Sequence, residues 1–170
     1  MSTATRPESE DRLPTLDGRA LSFGLALAAS DILADAHAVL APADARRHLF
    51  ASVDASLGQR IGEGDVVVAE EISGNLLTAR PAMAALAAAG VTALVARRLT
   101  DPVRMAAHAH DLVALLIDTP SFLHTGDRVR LDLDAAKVVN LSSGDRVAIR
   151  NLDDDERARL RQALVRRPVR

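Results

Sequence analysis

The chain contains no cysteine, tryptophan or tyrosine, and only three phenylalanines in 170 residues. Without thiols it can form no disulfide, use no cysteine nucleophile, and hold neither a thiolate zinc site nor an iron–sulfur cluster on its own residues. With aromatics at 2% there is little to stack on bases or sugar rings, so ligand recognition falls to backbone and polar groups. Lysine is scarce as well. Lys137 is the single one and the other 20 basic residues are arginine, a skew we read as coding bias rather than chemistry. Acidic and basic residues nearly balance, 23 against 21, giving a formal charge of -2 and no field that would gather nucleic acid or an anionic membrane. No stretch approaches the ~18 apolar residues that span a bilayer. Met1–Glu10 lacks the apolar core of a signal peptide, so a cytoplasmic protein is expected.

What is present describes one globular unit. A hydrophobic content of 48% over this length suffices for a single core. Residues 1–15 are polar and aperiodic and read as a disordered arm, followed by a domain over 16–150 and a C-terminal helix over 151–170. Arg19–Gly24 reads as a short strand, and Ala41–Phe50 as a helix with Pro42 in its first turn. The clearest unit lies in the middle. Gly64–Ala69 has a buried-strand pattern, a loop follows from Glu70, a helix runs over Pro81–Ala89 to a C-cap at Gly90, and Val91–Ala96 is a second apolar strand. This is a βαβ unit with parallel strands. A helix over Pro102–Ala109 and a strand over Leu112–Ile117 extend the sheet. Beyond Gly126, the segments Asp127–Leu133, Lys137–Leu141 and Asp145–Arg150 alternate as antiparallel strands do, with a hairpin turn at Ser142–Asp145. Asp153–Glu156 ahead of an arginine-rich segment suits a helix macrodipole.

In α/β folds ligands gather where loops leave the carboxyl ends of parallel strands and helix N-termini point N–H groups outward. That places the loop Glu70–Arg80 in the functional position. A carboxylate could sit on the N–H groups near Thr78 and on the Arg80 guanidinium; alternatively Thr78 is an N-cap and Arg80 a solvated side chain. Glu70 and Glu71 could work as an acid–base pair, or face opposite ways along an extended chain. His108, His110 and Asp111 suggest a metal site, but residues two apart on a helix point to different faces and no further carboxylate or imidazole partner is identifiable, so no metal is expected and the histidines read as solvated at a helix end. His37, His48 and His124 read as isolated structural residues.

The order and spacing of these segments resemble the small subunit of 3-isopropylmalate dehydratase, the swivel domain of the aconitase superfamily. The resemblance runs from Gly18 to Leu141. It includes Gly18 to Phe23-Gly24, Ala29-Ser30-Asp31-Ile32-Leu33 where the family has Asp-Thr-Asp-x-Ile, and Gly64-Asp65-Val66-Val67-Val68-Ala69 where it has Gly-Asp-Ile-Ile-Val-Ala. The span from Glu71 to Gly90-Val91 matches in length, and the strands from Gly126-Asp127 to Asn140-Leu141 close the match. The resemblance implies an α/β swivel-type domain with a parallel βαβ core and antiparallel C-terminal strands. It further implies a heterodimer or heterotetramer with a separate large subunit carrying a 4Fe–4S cluster, a small hydroxy di- or tricarboxylate substrate, hydro-lyase chemistry and a place in leucine biosynthesis.

The family's loop Gly-Cys-Gly-Ser-Ser-Arg-Glu is replaced. Without a gap, Gly74-Asn75-Leu76-Leu77-Thr78-Ala79-Arg80 stands there, with Leu77 or Thr78 in the place of the basic serine and Ala79 in that of the arginine. Sliding by one residue sets Thr78-Ala79-Arg80 against Ser-Ser-Arg. On that register the resemblance assigns Thr78 the catalytic hydroxyl and Arg80 the substrate carboxylate, with Ser30, Asp31, Ser73, Gly74 and Asn75 completing the substrate-binding set. The competing expectation is a swivel domain that has lost its site and serves as a binding or assembly subunit. An RNA-binding role for the C-terminal arginines is disfavoured by the few aromatics and the slightly negative charge.

Overall fold

The computed structural model describes residues 12–24 and 26–166, so the expected disordered arm lies for the most part outside the described residues. Leu13 is buried and the first strand, β1, spans Thr15–Ser22. The chain continues through β2 (Ala26–Ala28), α1 (Ala29–Ile32), α2 (Pro42–Ala45), α3 (Leu57–Arg60), β3 (Asp65–Ser73), α4 (Leu76–Ala89), β4 (Ala93–Leu99), α5 (Asp101–Ala109), β5 (Val113–Leu116), β6 (Arg128–Asp132), β7 (Lys137–Asn140), β8 (Arg146–Ala148) and α6 (Asp154–Val165). The strands form one sheet in the order β5-β4-β3-β1-β6-β7-β8, with β2 beside β3 past the end of β1. β1, β2, β4 and β5 run parallel to their neighbours around β3, while β6, β7 and β8 are antiparallel, as the change of sequence rhythm predicts.

The sheet curls back on itself. Ile117, just past β5, forms an antiparallel bridge with Ile149, just past β8, and Asn151 accepts from the Leu116 N–H and donates to the Ala114 carbonyl, both at 2.9 Å. Alternation along β3 divides the core in two. Val66 and Val68 face the inside of the curl with Ala20, Val95, Leu115, Val129, Leu131 and Val138, and Leu160 of α6 joins this cluster. Val67 and Ala69 face the other way, under α1, α4 and α5, with Ile32, Met83, Leu86 and Val103. Ile72 packs with this outer cluster although it is even-numbered like Val66, so the alternation breaks between Ala69 and Ile72.

Three sequence expectations change here. β3 does not stop at Ala69. It runs on to Ser73, because β2 and β4 continue to pair with Glu71, Ile72 and, on the β2 side, Ser73. The helix expected from Pro81 begins five residues earlier, at Leu76, with Asn75 as its cap and Pro81 in its second turn. It ends at Gly90, whose φ of 92° is the left-handed conformation the C-cap requires. The single helix expected over Ala41–Phe50 is instead α2 followed by a 3₁₀ turn, Arg46–His48. Leu49 and Phe50 leave the helical path to dock. Phe50 adopts φ 58°, donates its N–H to the Ile32 carbonyl at 2.8 Å and stacks on Phe23 with ring centroids 4.3 Å apart. In the same region His37 and His48, read as isolated, stack at 3.9 Å.

Candidate functional site

The site is built where β2, β3 and β4 end and α1, α4 and α5 begin. Ala28 pairs with Ser73 across β2 and β3, so the turn into α1 lies against the turn into α4. Gly74 is the point of contact. A Cβ placed on it would stand 2.8 Å from the Ala29 Cβ, closer than such atoms approach, and 3.0 Å from the Thr78 Oγ1, a tight contact from which the hydroxyl would have to move. The Thr100 hydroxyl donates to the Gly74 carbonyl at 3.1 Å and its N–H reaches the Ile72 carbonyl at 3.2 Å, tying the start of α5 to the same loop.

Asn75 caps α4. Its Oδ1 accepts the Thr78 N–H at 3.1 Å, so the cap is Asn75 and not Thr78. The Thr78 hydroxyl donates back to Asn75, 3.2 Å from the main-chain oxygen and 3.3 Å from Oδ1. Among the described residues no imidazole, carboxylate or amine bonds to this hydroxyl to take its proton. Asp31 is likewise engaged locally, its Oδ2 accepting the Ala28 N–H at 3.0 Å. Ser30 is exposed and Ser73 half-buried, and neither hydroxyl has a hydrogen-bond partner among the described residues. Arg80 is exposed and makes no ion pair among them.

The structure therefore gathers Ser30, Asp31, Ser73, Gly74, Asn75 and Thr78 into one corner. Arg80 stands apart from Thr78, because residues two apart on a helix point about 200° from one another while Leu76, Leu77 and Arg80 share a face. Leu77, in one register the counterpart of the family's serine, is among the most exposed apolar side chains. Glu70 and Glu71 do not form a pair. Glu71 binds Arg98 at 2.9 Å, and Glu70 Oε2 is buried with no hydrogen-bond partner among the described residues.

Sequence reasoning missed Thr100, Arg97, Arg98 and Arg150, which the fold brings to the same end of the sheet. Thr100 carried a signal, a threonine directly ahead of Asp101-Pro102 at a helix start. A larger cavity of about 700 Å³ lies at the opposite end, around Glu63, Gly90 and Asp111, where the parallel strands begin. His108, read as solvated, is half-buried with Nε2 3.6 Å from Glu156 Oε1. Among the described residues no three histidine, aspartate or glutamate side chains come together as metal ligands, and no helix is long and apolar enough to cross a membrane.

No family profile matches the chain, and no curated protein sequence does. Solved structures do match. The 3-isopropylmalate dehydratase leuD of Methanocaldococcus jannaschii superposes with a TM-score of 0.78 at 23% identity, over 86% of this chain and 88% of that one. Aconitase X of Thermococcus kodakaraensis, in its holo form, gives 0.53 at 16% identity over 83% and 94%. A UPF0107 protein solved by solution NMR gives 0.50 at 12% identity over 83% and 95%. The chain has the fold of the leuD dehydratase, the swivel-type α/β architecture that the sequence resemblance implied.

Proposed function

We propose that this chain is the swivel subunit of an aconitase-type hydro-lyase acting on a small hydroxy di- or tricarboxylate, with a separate large subunit that carries the 4Fe–4S cluster. The observation that carries the reading is the convergence of three helix starts on Gly74 at the carboxyl ends of parallel strands, in the fold of the leuD dehydratase. The cluster, when bound in the partner, supplies the Lewis acid that draws off the hydroxyl. This chain has no thiolate to hold it. Its own part is to bind and orient. The N–H groups opening α4 offer donors to one carboxylate, with the Ser30 and Ser73 hydroxyls in the same corner, and the exposed Arg80 guanidinium, on another face of the helix, offers a donor to a second.

A second reading is favoured by one observation. Thr78, the residue set against the family's serine, already donates its hydroxyl to Asn75, with no base at hand among the described residues. A swivel domain with this corner would serve as a binding or assembly subunit. Anaerobic purification of the tagged chain from its own host separates the two. The hydro-lyase reading expects an iron–sulfur large subunit in the eluate and hydration activity toward hydroxy acids. In that complex Arg80→Ala should raise the KM for the acid about tenfold or more, as loss of a charge-assisted contact does, while leaving assembly intact. A partner recovered without cluster or activity would leave the assembly reading, and an unchanged KM would remove Arg80 from the site.

A further inference from the structure

Beside the Gly74 loop, a groove of about 390 Å³ opens at the ends of β4 and β5. Leu99 and Leu116 supply apolar wall and three arginines line it, Arg97, Arg98 and Arg150. Two of them are held in place. Arg98 engages Glu71 through Nε at 2.9 Å, which leaves its terminal nitrogens unused among the described residues. Arg150 binds Asp118 through Nε at 2.8 Å and donates from Nη2 to the Arg97 carbonyl at 2.6 Å. Arg97 is exposed and its guanidinium has no partner among the described residues.

Three guanidinium groups around one groove repel each other, and two carboxylates offset two of the charges. The third fork is unmatched, and a guanidinium fork fits the two oxygens of a carboxylate. The volume suits a ligand of several heavy atoms, and the leucine walls suit a carbon skeleton better than a bare inorganic anion.

We propose that this groove binds a small organic carboxylate, its carboxylate on the Arg97 fork and flanked by Arg98 and Arg150. The assignment does not depend on the hydro-lyase reading, since none of the three arginines belongs to the corner around Gly74 and none is Arg80.

The test is titration of the full chain with citrate as probe at low ionic strength, followed by ¹⁵N NMR of the backbone and of arginine Nε–H. Shifts are expected at Arg97, Leu99 and Thr100. Arg97→Gln should weaken citrate about tenfold or more, and Arg97→Lys, which keeps the charge and loses the fork, should fall between. Inorganic phosphate, titrated in parallel, should bind about tenfold more weakly than citrate. The proposal is overturned if Arg97→Gln binds citrate as the unaltered chain does, if shifts are confined to the Arg80 helix, or if phosphate binds equally well. Arg97 projects from the end of a strand, so its variants retain the fold; the unaltered backbone spectrum away from the groove checks this, and Arg98→Gln is the second variant.

Discussion

Asp65 shows how a residue that marks a family can be structural. It is buried to 3% exposure, accepts the Gly62 N–H at 2.8 Å and takes the Arg19 guanidinium at 3.1 Å, which fixes the turn into β3 against β1. The glycine beside it has a similar cause. A Cβ on Gly18 would stand 2.0 Å from the Gly64 carbonyl oxygen, so the two backbones touch where they meet. Asn140 works the same way at the other end of the match. Its amide donates to Asp127 and to the Phe122 carbonyl, and its oxygen accepts from Ser142 and Ser143. Asp65→Ala leaves the Gly62 N–H without its acceptor and Arg19 without its carboxylate, and should cost about 1–3 kcal/mol in denaturant unfolding. The motifs legible in the sequence were these backbone anchors. The hydrogen bonding of the corner around Gly74 was not, because what a hydroxyl such as Thr78 bonds to depends on the fold and not on its place in the sequence.

Among the elements, α6 carries a readable design and a hidden one. Asp153 caps it, with Oδ1 2.8 Å from the Glu156 N–H, and acidic residues fill its first turn, as the sequence promised. Its contact with α5 was not legible, since it rests on Glu156 lying 3.6 Å from His108, a residue far away in sequence. Burial lowers the His108 pKa, assisted by the nearby Arg159 and Arg104 charges and opposed by Glu156. A histidine whose folded pKa is depressed gives up stability in acid. The unfolded chain takes the proton first, so the contribution is whole above the ordinary histidine value of about 6.5 and is lost as pH falls through it toward the folded pKa. The melting temperature should therefore drop below about pH 6.5, and His108→Gln should flatten that part of the profile; parallel profiles for the two proteins would rule the linkage out. The boundaries of β3 and α4 were misread for a related reason. Glu70–Ser73 look like loop from their polarity, yet strand partners on both sides hold Glu71 and Ile72, and Pro81 looks like a helix start although Asn75 begins the helix earlier.

For the molecule as a whole, the parallel βαβ unit and the antiparallel strands were readable from hydrophobic rhythm, but the closure of the sheet was not. The pairs that make it, Ile117 with Ile149 and Asn151 with β5, join residues more than thirty positions apart whose contact has no local signal. The same closure lays Arg150 over the end of β4, which is why the arginine groove could not be read from the chain. Asn151→Ala removes both bonds to β5 and should cost about 1–3 kcal/mol, with faster amide exchange at Leu116 as its local signature. Unchanged exchange there would show that the side chain does not hold the seam. Closure also decides how a partner can be met. A sheet whose outer strands are joined offers no long row of free N–H and C=O groups, and the short β2 alone adds an edge within the described residues. Association by lending a strand is thereby largely foreclosed, and recognition passes to side chains and loops at the rim. Such contacts can be broken and remade without disturbing the sheet.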